Sequence, residues 1–320
     1  MTSPSAPPTV SVIIPARGAA PHVAEAIRSA LAQGEVTEVV VAAADAPTRA
    51  AAEQLEEDRV VVVDNPEGST PRALNRALAK STGEIVVRCD AHAVLPPGFV
   101  ETVIEVMGRT GAVNVGGRQV PRGRTTFERA VALAMVSPLG AGDARYRIGG
   151  SEGPVDTVYL GAFRRSALEE VGGFDETLER NQDYELNWRL RRAGGQVWFV
   201  PALGVEYRPR GSIRSLWRQY YQYGFWKLMV LRRHSGSLRW RQLASPALVA
   251  GLIASVVSLP FHRGVAAALP SVYVTATMGA ALVDGVRTGD RAAAWEPLAL
   301  WTMHIGWGTG FIAALLSGRR

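Results

Sequence analysis

The chain holds a single cysteine, Cys89, in 320 residues. That excludes an internal disulfide framework and any zinc site built on several thiolates. Coming directly after an apolar run, Cys89 reads as a small core residue. The first ten residues, MTSPSAPPTV, have neither a basic stretch nor an apolar run. No secretory signal is expected there, and residues 1–9 read as a disordered tail. No G-x-G-x-x-G follows the first apolar run, which removes the dinucleotide-binding fingerprint. Acids are missing from residue 207 to residue 283, and nine Lys/Arg crowd residues 208–241. With a net charge of +6 overall, this asymmetry points to an anionic partner: nucleic acid, nucleotide or lipid headgroups.

What is present begins with an alternation. VSVIIP, EVVVAA, RVVVVD and EIVVRC are near-continuous apolar runs. Between them lie helical stretches such as PHVAEAIRSALAQG, stopped by Gly34, and STPRALNRALAKSTGE, with Ser69 or Thr70 as cap and Pro71 in the first turn. Buried strands alternating with helices predict a parallel, doubly wound α/β sheet. Ligands of such sheets bind beyond the carboxyl ends of the strands. Arg17, Asp45, Asp64, Asp90 and His92 all follow apolar runs and are expected to gather on that edge.

Residues 111–195 are glycine-rich and less regular. TTFERAVALAMV reads as an amphipathic helix, and LGAGDARYRIGGSEG as a flexible stretch of the kind used for lids and binding loops. NQDYELNWRLRRAGG predicts a helix capped at Asn181, acidic in its first turn, basic in its last and stopped at Gly194. After residue 241 come three segments of bilayer length, at 243–261, 264–283 and 292–316. Glu296 and His304 interrupt the third, and are expected to face the protein interior or an interface. Before them, residues 207–241 interleave aromatic and basic side chains. Such a pattern suits an amphipathic helix in the headgroup region, and also single-stranded nucleic acid. The neighbouring spans favour lipid, and the basic residues beside the first span place that side in the cytoplasm.

Two places could carry chemistry. In VVRCDAHAVLPPGFV the strand breaks off at Asp90 and His92, two residues apart. On an extended segment both would project to one side, with Arg88 sharing it. Magnesium and manganese need only one or two protein groups when substrate phosphates supply the rest. Asp90 suits either ion, and His92 suits manganese better. An Asp-x-His alone is a weak motif that also arises by chance. Asp183 is the second place. An acid in a helix first turn is by default a response to the helix dipole; its functional reading is a general base kept ionised by that dipole. Glu185, two residues on, faces elsewhere and reads as structural.

Taken in order, VSVIIPAR, NPEGSTPRALNRALAKSTGEIVVRCDAHAVLPPGFVE, VDTVYLGAFRRSALEEVGGFDE, NQDYELNWRLRRAGG and YRPRGSIRSLWRQYYQYGFWK resemble family 2 glycosyltransferases. More closely, they resemble the membrane-associated succinoglycan-biosynthesis glucosyltransferase branch, over roughly residues 9–230. The resemblance implies a GT-A fold, a nucleotide-sugar donor (usually a UDP-sugar), a divalent metal and inversion at the anomeric carbon. It matches Asp90 and His92 to the Asp-x-Asp metal and diphosphate motif, and Asp183 to the catalytic base. Pro15, Ala16 and Arg17 match the first nucleotide-contacting loop; Asn75 and Arg88 match positions near the donor. Departures stand at Gly18-Ala19, where Asn-Glu is usual, at Ala42–Ala44, where paired acids are usual, and at Gln182. Asp45 is expected to recover part of the contact to the base. QYGFW matches the processive relatives' Gln-x-x-Arg-Trp only in part, which argues against a polymer-extruding synthase.

The resulting expectation is a catalytic domain over 10–206, a juxtamembrane segment over 207–241 and a membrane region over 242–320. The function implied is an inverting, metal-dependent hexosyltransferase of cell-envelope or exopolysaccharide synthesis, in the cell membrane with its catalytic domain cytoplasmic. A lipid-linked saccharide is the expected acceptor, and no nucleic-acid partner is expected. The alternatives are a nucleotidyltransferase on a similar sheet, and a membrane-tethered nucleotide-sugar-binding protein without activity.

Overall fold

The computed structural model describes residues 7–318, so positions 1–6 of the expected tail lie outside the described residues. Two compact units make up the chain: Met1–Val120 with Gly149–Glu206, and Pro121–Ile148 with Tyr207–Arg320. Residues 121–148 belong with the C-terminal unit because their helix buries its apolar side there.

In the first unit, strands and helices alternate as β1 (Val10–Ala16), α1 (Val23–Leu31), β2 (Val36–Ala43), α2 (Ala46–Glu53), β3 (Val60–Asp64), α3 (Thr70–Lys80), β4 (Ile85–Arg88), α4 (Phe99–Thr110) and β5 (Asn114–Pro121). The insertion supplies α5 (Thr126–Val136) and two single turns, α6 (Pro138–Ala141) and α7 (Arg145–Ile148). The unit resumes with β6 (Gly153–Pro154), β7 (Tyr159–Arg164), α8 (Arg165–Val171), α9 (Gln182–Arg192) and β8 (Val197–Tyr207). The sheet order is β3-β2-β1-β4-β7-β5-β8-β6.

Strands β1 to β4 are parallel, as their apolar runs predict. Beyond β4 the sheet differs from the all-parallel expectation. Strand β7 runs antiparallel to both β4 and β5, setting Val87 opposite Ala162 and Val115 opposite Ala162. Helices cover both faces. Phe99, Val103 and Met107 of α4 and Val23, Ile27 and Ala30 of α1 pack on one side. Leu74 and Ala77 of α3, Leu168 of α8 and Leu186 and Leu190 of α9 pack on the other. Each of these larger side chains contributes about 1.5–3 kcal/mol by leaving water. Cys89 is fully buried, as read from sequence.

Within the second unit, α5 opens on a capping box: the Thr125 hydroxyl accepts from the Glu128 backbone N–H while Glu128 accepts from that of Thr125. Four further helices follow: α10 (Ile213–Arg233), α11 (Trp240–Ser258), α12 (Arg263–Thr288) and α13 (Glu296–Leu316). Three stretches are long and apolar enough to cross a membrane: Trp240–Ser258, Arg263–Thr288 and Arg291–Leu316. Ile253, Val256, Val257, Leu282 and Val286 lie exposed on the first two, a surface suited to hydrocarbon. The interrupting residues of the third turn inward. Glu296 is fully buried, and the His304 ring bonds Tyr273 Oη at 2.7 Å and the Leu139 carbonyl at 2.9 Å.

Helix α10 packs along α13 at backbone distance. A Cβ on Gly224 would stand 2.0 Å from the Trp307 carbonyl oxygen, and one on Gly310 would stand 2.0 Å from that of Tyr221. Only glycine permits this approach. The remaining face of α10 leaves Arg214, Trp217 and Arg218 exposed, as an interfacial helix requires.

Candidate active site

The carboxyl ends of β1 to β4 gather the loops that the sequence points to. Pro15 and Ala16 end β1 in register with Ala42 and Ala43 of β2, and Ala43 pairs with Asp64 of β3. Arg17 follows, exposed, with Nη1 donating to the Gly68 carbonyl at 3.3 Å. Asp45 is the N-cap of α2: it accepts from the Thr48 amide at 3.0 Å and from the Thr48 hydroxyl at 2.7 Å. Its other oxygen accepts from the Gly18 amide at 2.6 Å. These bonds, the Gly18 amide first, hold its carboxyl below the usual range. Asp45 thus organises the first loop, and Thr48 completes the brace by accepting from the Ala19 amide at 3.0 Å.

Asn75 is committed elsewhere. Its amide nitrogen donates to the Phe174 carbonyl at 2.8 Å and to Glu176 at 3.0 Å, and its oxygen accepts from the Phe174 amide at 2.9 Å. It therefore secures the loop that leads toward α9.

The centre of the site is Arg88, the last residue of β4, only 6% exposed. Its Nε and Nη2 donate to one oxygen of Asp90 at 3.0 and 2.8 Å, and its Nη1 donates to Asp183 in the first turn of α9. One guanidinium thus draws together two carboxylates from distant parts of the chain. Asp183 keeps 42% of its side-chain surface open. Desolvation pushes its carboxyl above the ordinary value of 3.8; Arg88 pulls the other way, and the Asp90 charge adds to the rise. A carboxylate placed at an open edge with a raised pKa is suited to accepting a proton. Glu185 is buried and paired with Arg189 at 2.7 Å, the structural role read for it. Asn181 holds the N-cap position in a left-handed conformation, and its side chain makes no cap bond.

Asp90 and His92 are not on a strand. β4 ends at Arg88, and the Ala93 amide donates to the Asp90 carbonyl at 2.8 Å, closing a turn. The two-residue alternation expected of an extended segment therefore does not apply to them. Among the described residues no three His, Cys, Asp or Glu side chains group to enclose a metal ion. What the residues do offer is narrower: the second oxygen of Asp90 takes no bond from the described residues, and His92 is exposed. That donor set fits a divalent ion shared with a bound diphosphate, not one held by protein alone.

Two contributors escaped sequence reading. Thr48 carries no motif, and only its spacing of three from Asp45 hinted at a cap. Asn65, after β3, is 2% exposed with its amide donating to the Ser69 carbonyl at 3.1 Å, and its oxygen is buried without a partner.

The pattern of Glycosyl transferase family 2 matches residues 11–172. The chain is 30% identical over 267 residues to the succinoglycan biosynthesis protein ExoA of Rhizobium meliloti, covering 83% of this chain and 80% of that protein. It is 26% identical over 200 residues to the pre-mycofactocin glycosyltransferase of Mycobacterium tuberculosis, 62% of this chain and 42% of that longer protein. Its fold is similar to that of the mannosyltransferase PcManGT from Pyrobaculum calidifontis, solved with GDP-Man and Mn2+. There the TM-score is 0.66 and the identity 22%, over 99% of this chain and 89% of that one. With a GT-A-like sheet, two carboxylates converging at its carboxyl edge and these matches, the chain belongs to glycosyltransferase family 2.

Proposed function

We propose that this protein is an inverting, metal-dependent glycosyltransferase. In this reading it moves a hexose from a nucleotide-sugar, expected to be a UDP-sugar, to a hydroxyl of a lipid-linked saccharide at the membrane surface. The single observation that carries it is the convergence of Asp90 and Asp183 on Arg88. Asp183 is the base: it takes the proton of the acceptor hydroxyl as that oxygen attacks the anomeric carbon opposite the leaving diphosphate. Arg88 holds both carboxylates in place and balances part of their charge. Arg17 and the loop braced by Asp45 flank the nucleotide. A divalent ion, held by Asp90 with His92 and the donor phosphates, would supply positive charge against the leaving group.

The acceptor assignment is supported by the three apolar helices and by the basic, aromatic face of α10, which together suit a site served from a bilayer. The same basic excess supports a multi-pass protein of the cell membrane with its catalytic unit on the cytoplasmic side. Similarity to a succinoglycan biosynthesis protein supports a role in exopolysaccharide or cell-envelope synthesis.

The test uses the full chain in membranes, with a panel of nucleotide-sugars and manganese, magnesium or EDTA. Metal-dependent release of nucleoside diphosphate from one donor, with transfer to a lipid extract, is expected. Asp183→Asn should lower turnover by about 10²–10⁴ while donor binding survives. Unchanged turnover in that variant removes Asp183 from the role.

A further inference from the structure

We propose that Arg147, with the hydroxyls of Tyr146 and Tyr220, forms a site for the phosphate group of a membrane lipid. All three residues lie in the C-terminal unit. The Arg147 Nε donates to Tyr146 Oη at 3.0 Å, and its Nη1 donates to Tyr220 Oη at 3.0 Å. Its guanidinium makes no ion pair among the described residues: the groups around it are the phenols of Tyr146, Tyr220 and Tyr223. A largely enclosed cation without a carboxylate is costly unless an anion completes it.

The hydrogen-bond inventory points to the kind of anion. A phenol that accepts from an arginine still has its own proton to give. Neither Tyr146 nor Tyr220 has an acceptor for that proton among the described residues. Tyr207 is in the same position, since its hydroxyl accepts from Gln219 Nε2 at 2.9 Å. The remaining N–H groups of Arg147 add to this surplus. Donors therefore accumulate at one place with no protein acceptor for them among the described residues. A tetrahedral oxyanion, with several lone pairs and a negative charge, satisfies such a set better than any neutral ligand.

The source follows from what shares the unit. Tyr220 belongs to α10, the helix with exposed Arg214, Trp217 and Arg218, and three helices of membrane-crossing length follow it. Phosphates concentrated at that level are those of lipid headgroups or isoprenoid phosphates. The inference uses the membrane reading but none of the transfer chemistry.

The test is native mass spectrometry of the full chain in detergent, titrated separately with dioleoylphosphatidylglycerol, farnesyl diphosphate and inorganic phosphate. At least one lipid phosphate is expected to bind, with Arg147→Gln weakening it on the order of tenfold. Tighter binding of farnesyl diphosphate assigns the site to isoprenoid lipids, and tighter binding of phosphatidylglycerol to bulk headgroups; either supports it. Should Arg147→Gln fail to fold, the double variant Tyr146→Phe/Tyr220→Phe keeps the charge and rings and is expected to weaken binding several-fold, about one hydrogen bond's worth for each phenol. Lipid binding that is equal in wild type and these variants overturns the proposal. So does inorganic phosphate binding as tightly as both lipids.

Discussion

Arg88 and Asp183 stand 95 residues apart in the chain, yet the guanidinium of the first donates to the carboxylate of the second. The link joins the end of a central strand to the first turn of α9, a helix that comes after the long insertion in the chain and packs on the sheet. Removing Arg88 leaves Asp90, 19% exposed, without its partner. Arg88→Gln is expected to cost about 3 kcal/mol, the lower end for a broken buried pair because Asp183 keeps contact with water. Thermal unfolding measures it.

The same substitution has a signature in the pH profile. In the proposed mechanism Asp183 acts ionised, so activity should fall as pH drops through its raised pKa. Arg88 is what holds that rise in check. In Arg88→Gln the acid limb of kcat/KM should move to higher pH, whereas a purely structural role for Arg88 would lower the curve without shifting the limb.

Asp45 offers a separation of cap from ligand contact. Asp45→Ala should cost about 1 kcal/mol through the lost cap and raise the donor KM by freeing Gly18. Asp45→Asn keeps an acceptor for the Thr48 amide and should restore most of both. If Asn restores stability but not KM, the carboxylate also touches the donor.

Acid stability should run partly through Glu38. Desolvation pushes its carboxyl up. That rise is outweighed by hydrogen bonds from Ser11 Oγ at 2.6 Å, the Thr82 amide at 2.5 Å and the Thr82 hydroxyl at 2.8 Å, so its folded pKa lies below 4.5. A depressed folded pKa contributes stability above the unfolded value, lost as pH falls through the folded one. Between about pH 6 and about pH 3, Tm should drop more steeply in wild type than in Glu38→Gln.

Much of this was legible beforehand, for identifiable reasons. The valine runs of β1 to β4 mark strands by their β-branched content, and the period of TTFERAVALAMV marks α5. The three spans follow from length alone. Strand β7, YLGAFR, was not legible as antiparallel, since a short run with a glycine carries no direction. The Asp90–His92 pair was read with strand geometry that a turn replaces one residue past Cys89. Nor could local pattern reveal that Arg88 reaches Asp183, because that contact exists only once α9 has docked on the sheet.

The close approach of α10 and α13 gives the last prediction. Gly224→Val would drive a side chain into the Trp307 carbonyl and should cost about 1–3 kcal/mol or more by forcing the helices apart. Gly236→Ala, where nothing lies within 4 Å, is the matched control. Thermal unfolding in detergent should separate them clearly.

Helix α5, inserted between two strands of the sheet, buries Val131, Ala134 and Met135 against Leu216, Leu300 and Met303. The last two belong to the third apolar stretch. A version trimmed before α11 to make it water-soluble would therefore uncover the underside of α5. Such a fragment should aggregate, or lose order between β5 and β6, even with every strand intact. The third apolar stretch is part of this unit's interior, not a tether that can be cut away.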